Sequence, residues 1–163
     1  MTFLATLEAG SAPVQLRLAR EDDLSALVGL LAADQLGATR DALPADGDLA
    51  PYQGAFRQID ADPAHLLLVA EAGGEVVATL QLSFLPGLAR RGALRAQVEA
   101  VRVREDYRGG GLGAAIMAWV IDESRRRGCA LVQLTSDKSR GRAHRFYERL
   151  GFTASHEGMK LAL

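Results

Sequence analysis

The segment "VRVREDYRGGGLGAAIMAWV", residues 101–120, constrains this chain more than any other. A stretch with strand-like alternation runs into Arg108, glycines follow, and no polar side chain then appears until Asp122. The first turn of a helix has unpaired backbone N–H groups and a positive dipole end, and glycines let a bulky anion approach that backbone. The segment therefore predicts an anion-binding turn between a strand and a helix, with Arg108 adding positive charge at its mouth.

The glycine pattern limits which anion the turn can bind. A phosphate-binding P-loop ends in Gly-Lys-Ser/Thr, whereas Gly113 is followed by alanine. A dinucleotide fingerprint fits better, since Gly109, Gly111 and Ala114 match G-x-G-x-x-A, and Asp137 could act as the ribose-binding acid. That fingerprint normally follows the first strand of a longer parallel sheet. Here hairpin signals come first and only about fifty residues follow Gly113, so a dinucleotide oxidoreductase is the more distant alternative.

The remaining patterns predict a single α+β domain over residues 1–163, with a mixed, mostly antiparallel sheet flanked by helices. Residues 1–12 are expected to form a loose N-terminal extension. Two strands joined by the Gly73-Gly74 turn indicate a hairpin. The other predicted strands are Val14–Ala19, residues 93–103, a short strand opening at Cys129, "FTASH" and "MKLAL". Helices are expected over residues 21–37, near Tyr52–Ile59, over 111–127 and over 139–150.

Composition excludes several classes of function. The formal net charge of -1 argues against a general nucleic-acid binder. No apolar run reaches the roughly 18 residues that span a bilayer. A single cysteine, Cys129, excludes an internal disulfide framework and fits a reducing compartment, so we expect a cytoplasmic protein without a membrane partner. His65, His144 and His156 show no metal-ligand spacing, so no metal site is predicted.

Two motifs carry a resemblance to a known family. "VRVREDYRGGGLG" resembles the signature of the GNAT superfamily of N-acetyltransferases, in which Arg or Gln, two residues, Gly, one residue and Gly or Ala correspond to Arg108, Gly111 and Gly113. "RAHRFYERLGF", Arg142–Phe152, resembles the family block Ala-x-x-Phe-Tyr-x-x-x-Gly-Phe. The resemblance covers the chain from Val14 onward. It implies the acyl-CoA N-acyltransferase fold, acetyl-CoA as co-substrate, an amine acceptor and, by family habit, a homodimer.

The resemblance also implies how acetyl-CoA would be held. The backbone of Val101–Val103 would pair with the pantetheine arm like an extra strand, and the glycine turn would wrap the pyrophosphate. Many relatives carry Asn where this chain has Arg140, so Arg140 would reach a phosphate or lie on the surface. The expected cofactor-binding residues are Val101, Arg102, Val103, Arg108, Gly109, Gly110, Gly111, Leu112, Gly113 and Arg140.

Glu99 is the candidate general base. Strict alternation along "QVEAVRV" puts Glu99, Val101 and Val103 on one face and Val98 and Arg102 on the other. The family places an acid here that deprotonates the amine directly or through water, and the backbone N–H near Val101 is the expected oxyanion donor. The alternative is an ordinary salt bridge to a neighbouring arginine.

Tyr147 is the candidate general acid. It shares an apolar helix face with Ala143, Phe146 and Leu150, so its ring is expected to point inward. A phenol with a pKa of about 10 can protonate a thiolate whose conjugate acid has a pKa of about 8.5. The alternative is a core tyrosine with its hydroxyl satisfied.

The acceptor is expected to be the primary amine of a small molecule. In the family, the pocket is built from the first helices and a later loop, which here gives Asp34, Tyr52 and Arg91 beside Glu99. Arg91 and its neighbour Arg90 would suit an acidic group on the acceptor, and the C-terminal segment resembles aminoalkylphosphonate N-acetyltransferases. A peptide N-terminus as acceptor and a non-catalytic acyl-CoA-binding module are the alternatives.

Overall fold

In the part of the chain that the structure describes, six strands form one sheet, and their order in the sheet is also their order along the chain. The structure, a computed structural model, describes residues 3–9, 12–33 and 47–163. Neighbouring strands among the first five are antiparallel. The strands are β1 Phe3–Ala9, β2 Ala12–Leu18, β3 His65–Ala72, β4 Glu75–Leu85, β5 Arg95–Val103 and β6 Leu131–Leu134. The predicted α+β class with a mostly antiparallel sheet is confirmed.

The N-terminal residues differ from the prediction of a loose extension. Phe3–Ala9 is a strand, paired with β2 and shifted in register after Phe3. Its apolar residues Phe3, Ala5 and Leu7 alternate only briefly, and so short a pattern does not distinguish a strand from a tail. Pairing with β2 supplies the backbone hydrogen bonds that the isolated segment lacks.

The helices of nine or more residues in the described ranges are α1 Leu24–Ala32, α2 Ala50–Ala61, α3 Leu112–Arg126 and α4 Gly141–Arg149. Side chains of α1 and α2 form a core cluster with Val69 of β3, while α3 packs against β1 and β5. No helix in residues 3–9, 12–33 and 47–163 has the length and apolarity to cross a membrane. The expected helical stop at Gly37 lies outside the described residues.

A charged group is buried between β2 and the start of α1. Arg17 is only 3 % exposed and donates to both carboxylate oxygens of Asp23, at 2.7 and 2.9 Å. Its Nε donates to Glu71 at 2.8 Å. Burial disfavours the charged arginine, but the hydrogen bond to Asp23 dominates and raises the pKa of Arg17. The cluster therefore fixes β2, β3 and the start of α1 to one another.

The chain divides by compactness into residues 1–133 and Leu134–Leu163. The second unit contains α4, and residues 152–163 form no strand. The predicted closing strands "FTASH" and "MKLAL" are therefore wrong. A strand needs a neighbour to accept and donate its backbone hydrogen bonds, and this unit offers none to them. The assignment of residues 1–163 to one domain stays a prediction.

Candidate active site

A β-bulge interrupts β5 immediately after Glu99. Gln81 of β4 lies opposite Glu99, and Thr79 lies opposite Arg102. Two steps along β4 therefore match three along β5, so β5 contains one extra residue. Ala100 has a φ of 55°, a left-handed backbone that non-glycine residues rarely adopt. Strain of this kind, on the order of 1–3 kcal/mol, persists only where the surrounding structure enforces it, and often near functional sites.

The bulge changes which side chains share a face. Directly paired residues project to the same side of a sheet, as do residues two apart on one strand. Gln81 and Thr79 are two apart, so their partners Glu99 and Arg102 lie on the same face. The prediction that grouped Glu99 with Val103 and put Arg102 on the other face is therefore wrong. Strict alternation fails because the extra residue reverses it.

The face that carries Glu99 is the one on which α1 and α2 pack. Val69 lies opposite Thr79 across the β3–β4 pair and so shares this face. Val69 in turn belongs to the core cluster with Leu24 and Leu27 of α1 and Phe56 of α2. The described ends of the connection between these helices therefore lie on the same side of the sheet as Glu99.

The Glu99 carboxylate is exposed and makes no hydrogen bond or ion pair with any described residue. The predicted alternative, a salt bridge to a neighbouring arginine, is therefore not formed with an arginine of the described ranges. Gln97, one step earlier on the same face, is held by a 2.7 Å hydrogen bond from Gln133 of β6. Glu99 is thus an accessible carboxylate on an otherwise anchored strand, which a proton-accepting role requires.

The C-terminal half of β5 has an open edge. Ala130 donates to the Leu94 carbonyl at 2.8 Å, so β6 begins beside the start of β5, and its four residues cannot flank all nine of β5. The Arg104 N–H points to β4, where it donates to Val77 at 2.8 Å. Alternation then turns the N–H and carbonyl of Val103 away from β4. Among the described residues, these Val103 backbone groups have no pairing strand.

Two arginine side chains donate hydrogen bonds to backbone carbonyls at this edge. Arg102 Nη1 donates to the Val101 carbonyl at 2.9 Å, and Arg108 Nε donates to the Val103 carbonyl at 2.9 Å. Arg108 is exposed, and Arg102 is half-buried. Both contacts are with neutral acceptors, which bind guanidinium groups more weakly than anions do. A ligand with an anionic group can therefore compete for the Arg108 side chain.

Ion pairs of Arg104 stabilise the segment that connects β5 to the glycine turn. After β5, Glu105–Tyr107 forms a short 3-10 turn that alternation did not predict. Arg104 donates to Asp106 at 2.8 and 2.9 Å and to Glu75 at 2.8 Å, and its guanidinium lies 5.0 Å from the Tyr107 ring centroid. The hydrogen bond from Arg104 lowers the pKa of Asp106. The turn therefore starts from a fixed position relative to β4.

The glycine turn has the conformation that only glycine adopts easily. Gly109 has a φ of 82° and Gly111 a φ of 86°, and Gly111 is the N-cap of α3. The first helical hydrogen bond runs from Ala115 to the Gly111 carbonyl at 3.0 Å. The N–H groups of Leu112 and Gly113 precede that bond, no side chain caps them, and the first turn contains no acid. These donors are free of a side-chain cap, and binding of an anion by this turn stays a prediction.

Tyr147 lies in the second unit among aromatic rings. Its ring centroid is 5.1 Å from that of Phe146 and 5.8 Å from that of Phe152, both in edge-on arrangements. Arg140 is the N-cap of α4, and its backbone N–H donates to the Asp137 carbonyl at 3.0 Å. His144 Nε2 is 2.9 Å from the same Asp137 carbonyl. The aromatic packing fixes the ring of Tyr147 within this unit.

The expected acceptor residues have different outcomes. Asp34 lies outside the described residues. Tyr52 is half-buried and packs against the α1–α2 core cluster. Arg91 and its neighbour Arg90 are exposed and have φ values of 61° and 55° in the turn Ala89–Gly92 between β4 and β5. Two successive left-handed arginines were not predicted, because nothing in the side chains favours that conformation.

The described residues contain no group of His, Cys, Asp and Glu side chains that could hold a metal ion. The Cys129 thiol is half-buried, and burial raises its pKa, which makes it a poor nucleophile. The arrangement on β5 and α3 instead combines an accessible carboxylate, an open strand edge and an anion-binding helix start.

Comparison with known proteins places this arrangement in a family. The chain is 32 % identical over 151 residues to a glucosamine 6-phosphate N-acetyltransferase of Trypanosoma brucei brucei, covering 92 % of this chain and 96 % of that protein. It is 29 % identical over 109 residues to an aminoalkylphosphonate N-acetyltransferase of Salmonella typhimurium, covering 67 % of this chain and 70 % of that protein.

A solved structure is similar over most of the chain, and a family model matches as well. A Bacillus halodurans C-125 protein described as a transcriptional regulator is 43 % identical and superposes with a TM-score of 0.87, covering 92 % of this chain and 99 % of that one. The model of the acetyltransferase (GNAT) family matches residues 31–152, about three quarters of the sequence. The chain therefore belongs to the GNAT family, the acetyl-CoA-dependent N-acetyltransferases.

Proposed function

We propose that this protein transfers the acetyl group of acetyl-CoA to the primary amine of a small molecule, by direct attack within a ternary complex. The observation that carries the proposal is that the strand edge, the glycine turn and the helix start follow one another in the first unit. The open edge of β5 leads, through a left-handed glycine turn, directly into the uncapped start of α3. Glu99 lies on the same strand.

The residues present suit acetyl-CoA. The pyrophosphate would be bound by the N–H groups of Gly109, Gly110, Gly111, Leu112 and Gly113, where the helix dipole favours negative charge. A Cβ at Gly109 or Gly111 would meet no atom within 4 Å, so the space in front of this backbone is open. The backbone of Val101–Val103 would pair with the pantetheine arm, and Arg108 and Arg140 would contact phosphates.

The transfer requires three further groups. Glu99 would accept a proton from the acceptor ammonium, directly or through water, which leaves a nucleophilic amine. The amine nitrogen then forms a bond to the thioester carbon, while the backbone N–H near Val101 stabilises the oxyanion. The carbon–sulfur bond breaks, and Tyr147 would give its proton to the departing thiolate. Holding both reactants together supplies much of the rate.

The acceptor is proposed to be a small amine that also carries an anionic group. The two relatives named above are described by acceptors, glucosamine 6-phosphate and aminoalkylphosphonates, that combine an amine with a phosphorus oxyanion. Acidic Asp34 and Glu99 would favour the amine, and Tyr52 would line the pocket. Arg91 would favour the anion. A homodimer and a cytoplasmic location stay predictions.

The test measures CoA release from acetyl-CoA with a panel of aminoalkylphosphonates, amino sugars and their phosphates, polyamines and short peptides. Wild-type protein is expected to release CoA most efficiently with an anion-bearing small amine. Preference for a peptide would favour an N-terminal acetyltransferase instead. A thermal shift with acetyl-CoA but no release with any amine would favour a non-catalytic acyl-CoA-binding module.

Two variants with matched controls test the catalytic roles. We expect Glu99→Gln to lower kcat/KM by about 100-fold or more, most strongly at low pH where the amine is protonated. We expect Tyr147→Phe to lower kcat by at least about 100-fold with acetyl-CoA affinity retained. Glu105→Gln and Tyr107→Phe make the same chemical changes outside the site and serve as controls. Unchanged turnover in Tyr147→Phe, or an unaltered pH profile in Glu99→Gln, would remove that residue from its role.

A further inference from the structure

We infer that Arg104 raises the affinity for acetyl-CoA by position rather than by contact, because it fixes the segment that leads into the glycine turn. The inference rests on the proposed function, in which the pyrophosphate lies against residues 109–113. It concerns a residue outside that turn and makes it a positioning residue for the co-substrate. Arg104 directly follows β5, at the beginning of the connection between the strand and the turn.

All three nitrogens of the Arg104 guanidinium donate to carboxylates of the protein. Nε and Nη2 donate to the two carboxylate oxygens of Asp106 at 2.8 and 2.9 Å, and Nη1 donates to Glu75 at 2.8 Å. Two parallel hydrogen bonds to one carboxylate fix the plane of the guanidinium as well as its distance. The side chain therefore joins the first residue of β4 to the 3-10 turn Glu105–Tyr107.

The backbone of Arg104 joins the same two elements. Its N–H donates to the Val77 carbonyl of β4 at 2.8 Å, and its carbonyl accepts from the Tyr107 N–H at 3.0 Å. The guanidinium also lies 5.0 Å from the centroid of the Tyr107 ring, which is within the range of a cation–π contact. Tyr107 is therefore held by both the backbone and the side chain of Arg104.

Tyr107 in turn lies against the glycine turn. A Cβ built at Gly110 would lie 3.9 Å from the Tyr107 carbonyl oxygen, and one residue separates Tyr107 from Gly109, whose φ is 82°. Glycine loses more conformational freedom on folding than any other residue, so three consecutive glycines need neighbours that hold them in one conformation. The start of α3 restrains the turn on its C-terminal side. Arg104 restrains it on the other.

The size of the expected effect follows from the exposure of this cluster. Both carboxylates are largely exposed, and exposed ion pairs usually contribute little unless they have bidentate geometry or form a network. The Arg104 cluster has both properties. Its loss would lower the fraction of molecules whose turn is in the binding conformation, and the apparent Kd rises by the inverse of that fraction. We expect an increase of about 3- to 10-fold.

The test measures the Kd for acetyl-CoA by calorimetric titration and the KM of each substrate by CoA release. Arg104→Gln should raise the Kd and the KM for acetyl-CoA by about 3- to 10-fold and leave kcat and the acceptor KM within about twofold. Arg104→Lys should recover part of the loss, because an ammonium pairs without the bidentate geometry. Glu75→Gln and Asp106→Asn should each cause part of the loss. Asp106→Asn should add little to Arg104→Gln, because the pair is already broken.

Two control variants separate positioning from general effects of substitution. Arg125→Gln removes an exposed arginine that is ion-paired with Asp122, about 21 Å along α3 from Gly111, and should leave the Kd unchanged. Asp23→Asn breaks the buried pair with Arg17 at the start of α1. It should destabilise the fold and yet leave the Kd for acetyl-CoA within about twofold, since it does not touch the turn.

Several outcomes would overturn the inference. An unchanged Kd in Arg104→Gln would do so, as would an equal rise in Asp23→Asn, which would indicate a general effect of stability. Failure of the wild type to bind acetyl-CoA would overturn this inference and the proposed function together. If acetyl-CoA binding depends on Arg104 while no amine releases CoA, the positioning role is supported and the proposed transfer has failed. If Arg104→Gln has the wild-type KM for acetyl-CoA during turnover, the transfer stands and only the positioning role has failed.

Discussion

Replacing one glycine of the turn by alanine should separate backbone conformation from ligand approach. At Gly111 the φ of 86° is left-handed, while a Cβ would meet nothing within 4 Å. The cost of Gly111→Ala is therefore conformational rather than steric, about 1–2 kcal/mol for an L-residue in this region. The reduced entropy of the unfolded chain offsets part of that, by about 0.4–1 kcal/mol. We expect the free energy of unfolding to fall by about 1 kcal/mol.

Gly110 provides the matched control. Its φ lies outside the left-handed region, and an added Cβ would lie 3.9 Å from the Tyr107 carbonyl oxygen, an ordinary contact. Gly110→Ala should therefore change the free energy of unfolding by less than about 0.5 kcal/mol. If the pyrophosphate lies against this backbone, however, the extra methyl group should raise the Kd for acetyl-CoA by about tenfold, which corresponds to 1.4 kcal/mol.

Urea unfolding, followed by the fluorescence of the single tryptophan, Trp119 in α3, measures the stability of each variant. In thermal unfolding, the expected loss for Gly111→Ala corresponds to about 2–4 °C in Tm. Calorimetric titration gives the affinity for acetyl-CoA. A Gly111→Ala protein as stable as wild type would refute the left-handed turn. Unchanged acetyl-CoA affinity in both variants would refute the placement of the pyrophosphate.

Asp23→Asn should lower the free energy of unfolding, measured in urea, by about 3 kcal/mol, because it leaves the buried guanidinium of Arg17 with Glu71 as its remaining carboxylate. Asp22 is an exposed neighbour, so the control Asp22→Asn should change the free energy of unfolding little. Equal losses in the two variants would contradict this account. Burial raises the pKa of Asp23, but hydrogen bonds from Arg17 and from the Arg20 N–H outweigh it and lower the pKa below the ordinary value. The stability from Asp23 is therefore fully present above the unfolded pKa of about 3.9 and is lost as pH falls through the folded pKa. Urea titrations between pH 7 and 2.5 should show the gap between wild type and Asp23→Asn narrowing below about pH 4; a constant gap would show that the ion pair does not carry the effect.

Local signals in the sequence were sufficient for much of the fold. The Gly73-Gly74 turn predicted the β3–β4 hairpin, and both glycines have positive φ values, 58° and 85°. The glycine cluster before Leu112 predicted the start of α3 to within a residue. In each case glycine is the residue type that the backbone needs, so the chemistry of one position determines the local structure.

The failures occurred where neighbouring strands decide the outcome. Nothing about alanine indicates a left-handed residue, so the bulge at Ala100 can be recognised only from the pairing of β4 with β5. The same holds for β1, which became a strand by pairing with β2. For the candidate site, the sequence supplied the residues of the glycine turn and Glu99. It did not supply the face that Glu99 shares with Arg102, because one extra residue reverses every later position.

The open edge of β5 also bears on solubility. An unpaired strand edge is a template on which another chain can add a strand, and natural sheets often protect such edges with positively charged side chains. Arg108 and Arg102 cover the Val103 and Val101 carbonyls in this way. If the edge binds acetyl-CoA as proposed, it cannot be closed by a permanent strand. Arginine side chains that can be displaced would discourage self-association between turnovers and still give way to an anionic, extended ligand.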